Sequence, residues 1–157
     1  DNSNRSQYNM RPYIDNEYHD YKEFVYQTKK DAYKKYVEEI WGPWNEEDQR
    51  KYFDNFINTY KDSSYIIELN GEYIGFYNDE LLEDNTYEIG NICIIPKHQG
   101  KGIGTKLLKE ILSKNKDKDI KIQYFKQNPV GELYKRLGFI PTGETNYHYQ
   151  MIKPKEN

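Results

Sequence analysis

Apolar residues along this chain change their period several times, and each change marks an element. Met10 to Ile14 reads as a short strand. Behind it Tyr18, Tyr21, Phe24, Val25, Ala32, Tyr36, Val37 and Ile40 fall mostly at helical spacing, which predicts helix over 17–40, as one rod or as two pieces broken near Thr28. Asp15 or Asn16 is placed to cap it, with Glu17 in the first turn. Trp41-Gly42-Pro43-Trp44-Asn45 stops that pattern. Asn45 then caps a second helix with Tyr52, Phe53, Phe56, Ile57 and Tyr60 on one face.

From Ser64 the period shortens to two. Ser64 to Leu69 and Glu72 to Tyr77 flank Asn70-Gly71, a pair that supplies the positive φ angles of a two-residue hairpin turn. Asn78 to Asn85 reads as a polar connection into a strand over 86–95. A helix over 101–114 turns Ile103, Leu107, Leu108, Ile111 and Leu112 inward and Lys106, Lys109 and Lys114 to solvent. Ile120 to Phe125 is the next strand and Val130 to Leu137 a short helix closed by Gly138. Phe139 to Thr142, a turn at Gly143 and Asn146 to Ile152 make a last hairpin. The order β-α-α-β-β-β-α-β-α-β-β is that of an α/β (α+β) chain.

Composition narrows the picture without redirecting it. A chain of 157 residues is one domain by size, with residues 1–9 as a polar arm and 10–157 as the folded unit, Met10 being a candidate natural start. Apolar content is 36%, yet 17 tyrosines give a core rich in rings whose hydroxyls need partners or water. A net charge of −3 leaves no basic footprint for nucleic acid. No apolar run approaches a membrane span and no signal peptide is visible, so the expected location is cytoplasmic. Cys93, the single cysteine, reads as a packed strand thiol and excludes a cysteine metal cluster.

Candidate chemistry centres on residues 88–112. An apolar strand with Ile92, Cys93, Ile94 and Ile95 passes Pro96, then glycines at 100, 102 and 104, and enters a helix. Such a turn aims free N–H groups and the positive end of the helix dipole at one point, which suits a phosphate. It lacks the Gly-Lys-Ser/Thr ending of a P-loop and the third glycine of a dinucleotide fingerprint. Gln99-Gly100-Lys101-Gly102-Ile103-Gly104 instead resembles the (Gln/Arg)-x-x-Gly-x-(Gly/Ala) signature of the GNAT superfamily of N-acetyltransferases. Asn128 followed by Leu133-Tyr134-Lys135-Arg136-Leu137-Gly138-Phe139 resembles a second segment of the same family. The resemblance spans roughly residues 10 to 153.

It implies the GNAT fold, a mixed, mostly antiparallel twisted sheet of about seven strands flanked by about four helices. It also implies acetyl transfer from acetyl-CoA to a primary amine in a ternary complex, with no metal. The cofactor would be held by Gln99, Gly100, Lys101, Gly102, Ile103, Gly104 and Thr105, by Asn128, and by the strand residues Ile92, Ile94 and Ile95. Gly90, a glycine inside a strand, marks a bulge or a glycine tolerated for packing. A bulge there would free the amides of Ile92 or Ile94. Tyr134 is the implied general acid, protonated at pH 7 as a phenol. The base is open among Glu88, His148 and ordered water, while His19 and His98 read as exposed. Trp41, Trp44 and Glu39 lie where the family selects its acceptor, and rings with acids suit a cationic amine. That acceptor is a small molecule or a peptide, and the protein a monomer or homodimer. A non-catalytic acyl-CoA-binding or sensing module is the alternative.

Overall fold

The computed structural model describes residues 7–16 and 20–157. One sheet is built from β1 (Asn9–Pro12), β2 (Ser64–Leu69), β3 (Glu72–Leu81), β4 (Tyr87–Ile94), β5 (Ile120–Phe125), β6 (Ile140–Glu144) and β7 (His148–Lys153). Its helices are α1 (Tyr21–Trp41), α2 (Glu46–Tyr60), α3 (Ile103–Lys114) and α4 (Gly131–Arg136). The strands lie in the order β1-β2-β3-β4-β5-β7-β6. Every neighbouring pair is antiparallel except β4 and β5, which are parallel. This is the mixed sheet and element order expected above. No helix among the described residues is long and apolar enough to cross a membrane.

Two clusters of side chains fix the helices to opposite faces. Val25, Tyr26, Phe53 and Ile57 of α1 and α2 pack on Ile66, Phe76 and Cys93. Leu108, Ile111 and Leu112 of α3 and Tyr134 of α4 pack with Tyr87, Ile89, Ile120 and Ile122 on the other face. Each buried Leu or Ile contributes about 1.5–3 kcal/mol. The five apolar residues buried along α3 therefore outweigh the cost of about 1 kcal/mol that Gly104 brings to its first turn.

Local chemistry explains the element ends. Asn45 caps α2 as predicted, its side chain accepting from Asp48 N at 2.9 Å. Helix α1 runs unbroken through Thr28, because the Thr28 hydroxyl donates to Phe24 O at 2.7 Å and leaves nothing unsatisfied. It starts at Tyr21 behind Asp20, later than a cap at Asp15 or Asn16 would have it. Glu17, Tyr18 and His19 lie outside the described residues, as do residues 1–6 of the expected arm. Tyr8 is buried and Asn9 opens β1, so the fold takes in the end of that arm.

Part of an expected connection and one expected turn are strand. Asn78 to Leu81 continues β3, since buried Asn78 accepts from Asn91 Nδ2 at 2.8 Å and Asp79 from the Tyr87 hydroxyl at 2.7 Å. Gly143 lies inside β6 beside a register shift, and the chain reverses after it, where Thr145 Oγ1 accepts from His148 N at 3.0 Å.

The feature that makes room for a site is a bulge in β4. Asn78 pairs with Asn91 and the next residue, Asp79, with Ile89, which leaves Gly90 as the extra residue. A Cβ on Gly90 would stand 2.5 Å from Asn78 Nδ2, so the close approach requires glycine. On its other side β4 pairs with β5 only at Tyr87 with Ile120 and Glu88 with Lys121, and beyond Glu88 the two strands splay apart.

Gly75, where β3 meets the end of β4, is equally constrained, because a Cβ there would fall on the Cys93 carbonyl oxygen. Gly75→Ala should cost about 1–3 kcal/mol, the usual range for overpacking. Thermal unfolding should show this as a fall in Tm of roughly 3–10 °C.

Candidate active site

Beyond β4 the chain makes one 3-10 turn, Pro96–His98, and takes left-handed φ angles of 75° at Gly100 and 77° at Gly102 before α3 starts. The first amide of this turn to join the helix is Lys106 N, bonded to Gly102 O at 3.0 Å. The amides from Gly100 to Thr105 have no hydrogen-bond acceptor among the described residues, and a ring of free N–H groups faces outward at the positive end of α3. Nothing stands within 4 Å of where a Cβ would be on Gly100 or Gly102, so the backbone is open to an anion. Gln99 differs from this group. Its N–H is bonded to Pro96 O and its side-chain amide to Ile94 O at 2.8 Å, so it anchors the loop rather than offering its backbone.

The splayed edge of β4 continues the row of donors. Ile95 N donates to Ile74 O at 2.9 Å, toward β3. Alternation along a strand then sends the N–H groups of Ile94 and Ile92 the other way, into the gap that β5 has left. Gln99 covers the Ile94 carbonyl on that edge, leaving its N–H as the exposed group. Ile95 offers nothing comparable, because its N–H is used by Ile74 and its carbonyl accepts from His98 N at 3.0 Å.

This gap opens into a cavity of about 690 Å³ that runs from α1 and α2 through the splay to α4. Tyr134, Asn128, Glu88, His148, Ile92, Ile94 and Gln99 all line it. The Tyr134 ring is wedged between Tyr124 and Phe139, at centroid distances of 5.5 and 5.7 Å. Its hydroxyl has no hydrogen-bond partner among the described residues. Burial, with the Cys93 thiol and Tyr124 adding to it, raises the phenol well above its ordinary value, so it stays protonated. Asn128 accepts from Val130 N at 3.1 Å through Oδ1, which turns its amide nitrogen free for another contact. Glu88 sits at the last paired position before the splay, with Lys121 Nζ 3.7 Å away. His148 stacks on Phe125 at 4.5 Å, and burial lowers its imidazole from the ordinary value, which favours the neutral ring. His98 lies outside the cavity, its ring nitrogen 2.7 Å from Glu72, and is covered rather than exposed.

The acceptor side departs from expectation. Trp44 lines the cavity, whereas Trp41 packs on Tyr147 and Phe125 beside it and Glu39 faces solvent. Two acids at the break between α1 and α2 are already engaged. Glu46 accepts from Tyr26, Lys30 and Trp44 Nε1 at 2.8, 3.0 and 2.9 Å, contacts that hold it down to about 2. Glu38 accepts from Trp44 N at 2.9 Å. These two carboxylates build the turn.

Sequence reasoning missed the residues that α1 contributes. Tyr33 donates to Asn91 Oδ1 at 2.7 Å, and Asn91 donates on to Asn78, a chain that braces the bulge from above. Lys29, one turn earlier, carries its ammonium into the cavity over the Phe56 ring, 4.0 Å from the centroid. Their helical spacing with buried Val25 and Tyr36 signals an inward face, but no pattern in the chain tells which strand it meets. Asp79, although near the bulge, turns with Tyr77 and Tyr87 to the face of α3, where burial raises its carboxyl.

A parallel strand pair splayed at a bulge, with free amides leading along one strand into a helix N-terminus, makes a cleft suited to an elongated anionic ligand. The family model described as Acetyltransferase (GNAT) family matches residues 16–139, and the chain belongs to that family. Among solved structures it is similar to protein PH1933 from Pyrococcus horikoshii OT3, at 22% identity over 96% of this chain and 99% of that one, with a TM-score of 0.71. The PaiA N-acetyltransferase from Thermoplasma acidophilum, solved in complex with coenzyme A, is 18% identical over 95% and 99%, with a TM-score of 0.69. A Corynebacterium glutamicum protein described as histone acetyltransferase HPA2 and related acetyltransferase is 16% identical over 97% and 98%, at 0.71. No curated protein matches the chain at a significant level. At these identities the structures share the fold.

The lowered imidazole of His148 has a consequence for stability. Below pH 6.5 the unfolded chain takes up a proton that the buried ring resists, so the folded state loses stability as pH falls and regains it as pH rises. Tm measured between about pH 5 and 7 should rise less steeply for His148→Gln than for the parent protein.

Proposed function

We propose that this chain is an N-acetyltransferase that takes acetyl-CoA as cosubstrate and passes the acetyl group directly to a primary amine in a ternary complex. The observation that carries this reading is the row of free amides, at 100–105 and then at Ile94 and Ile92, in a cavity also lined by Tyr134, whose hydroxyl has no partner among the described residues. The loop amides and the α3 dipole bind the pyrophosphate, with exposed Lys101 adding charge. The Ile92 and Ile94 amides bind the pantetheine arm and polarise the thioester carbonyl, and the free amide nitrogen of Asn128 faces the same arm.

Chemistry takes place at the mouth of the splay. The amine nitrogen bonds to the carbonyl carbon, the C–S bond breaks, and the departing thiolate takes the Tyr134 proton. Glu88, at the base of the splay, takes the proton lost by the amine, directly or through one water. Neutral His148, on the opposite wall, is the second acceptor for that proton. The acceptor is a small molecule or a peptide amine, and no metal takes part. A sensing module has no use for a buried acid held without a partner at the end of the channel, which favours the enzyme.

Tyr134→Phe should lower kcat by about 10²–10⁴-fold while leaving the KM for acetyl-CoA within a few fold, read as thiol release. Glu88→Gln should lower kcat/KM most at low pH, where less of the amine is neutral. Unchanged kcat in Tyr134→Phe, with chemistry rate-limiting, would remove the phenol from the mechanism.

A further inference from the structure

Several cations of α1 and α2 have an acid. Lys22 pairs with Asp54 at 3.1 Å, Lys30 with Glu46 at 3.0 Å and Arg50 with Glu23 at 2.7 Å. Lys29 has none. It forms no ion pair or hydrogen bond among the described residues, although it sits one residue from Lys30 and one helical turn from Tyr33. Its ammonium lies among aromatic faces instead, 4.0 Å from the Phe56 centroid, 5.3 Å from Tyr33 and 6.0 Å from Phe76. Ring faces attract a cation but replace only part of its hydration.

The position of this charge is as specific as its lack of a partner. Lys29 lines the cavity on the side of α1 and α2, across from the donor row of β4 and α3 that faces the cofactor. Among ionisable groups only the Cys93 thiol acts on it favourably, and burial destabilises the charged form. An anion arriving beside it would find a desolvated cation that no carboxylate pairs with among the described residues, and would relieve the cost of burying that charge. Two acids of the α1–α2 turn are engaged elsewhere, Glu46 by Tyr26, Lys30 and Trp44 and Glu38 by the Trp44 amide.

We propose that the acceptor amine carries an anionic group, a carboxylate or a phosphate, which Lys29 holds at the α1–α2 end of the cavity while the amine reaches the splay. The inference rests on the transferase reading above and names its substrate class. Phe56 and Tyr33 then flank the acceptor's apolar part, and Lys29 fixes its far end. It reverses the polarity expected from the acids near Trp41 and Trp44, which would have selected a cationic amine.

Thiol release from acetyl-CoA tests this with matched acceptors that differ in one charge: α-amino acids and dipeptides against their C-terminal amides, O-phosphoethanolamine against ethanolamine, with spermidine as a polycation. The expected result is turnover of acid-bearing or phosphate-bearing amines at least 10-fold better, in kcat/KM, than of their neutral partners. The carboxylate and phosphate arms distinguish the two anions. Lys29→Met should raise the KM for the preferred acceptor by about 10- to 100-fold, the range for loss of a charged contact. It should also bring acid and amide within about 2-fold of each other, while Lys29→Arg keeps a preference for the acid. Spermidine or the amides as best acceptors, an equal loss for acid and amide in Lys29→Met, or no turnover of any acid-bearing amine would overturn the assignment. Calorimetric titration with acetyl-CoA alone separates this from failure of the transferase reading: protein that binds acetyl-CoA and acetylates only uncharged or cationic amines keeps that reading and loses the role of Lys29.

Discussion

The site depends on one extra residue in one strand. Gly90 has no partner across β3, and the β4 backbone must shift to accommodate it against the Asn78 side chain. Two residues earlier β4 is still paired to β5, through Glu88 and Lys121. Past the bulge that pairing is gone, and a parallel sheet that would otherwise be closed becomes a cleft. Backbone donors without partners are costly when buried, so a cleft of this kind survives because it is open to water or to a ligand. Tyr33, Asn91 and Asn78 hold the bulge in a hydrogen-bonded chain, which places structural hydrogen bonds on one side of β4 and free donors on the other.

The charges follow the same division. The cofactor side is electropositive through backbone rather than side chains, since only Lys101 among residues 99–105 is charged. On the acceptor side Lys29 has no acid among the described residues, while Glu46 is engaged by Lys30 and Trp44 and Glu38 by the Trp44 amide. At the meeting point stand a protonated phenol, a carboxylate and a neutral imidazole. In the proposed reaction these groups give and take the protons of the acyl transfer without a change in the net charge of the cavity.

Much of this was legible in the chain. The glycines at 100 and 102 do adopt left-handed angles, the Asn70-Gly71 turn joins β2 to β3, and Gly90 is a bulge. Each is a local signal, readable because a backbone angle or a close approach admits few residues. What escaped depends on partners distant in sequence. Asn78 and Asp79 look like loop residues until Asn91 and Tyr87 satisfy them inside the sheet. Gln99 and Ile95 belong to the motif, yet their amides are spent on Pro96 and Ile74, a matter of how the 3-10 turn folds back. Lys29 gave no signal, because what distinguishes it is the absence of an acid that its neighbour Lys30 possesses.

The central claim is that the amides of Ile92, Ile94 and residues 100–105 are free donors that receive acetyl-CoA. Residue-resolved amide hydrogen exchange with and without saturating coenzyme A tests it most directly. The account predicts that these amides exchange readily in the free protein and gain protection together on binding, while those of Cys93 and Ile95, already bonded to β3, change little. Protection that appears elsewhere on the surface, or these amides exchanging at the same rate with the ligand bound, would contradict it.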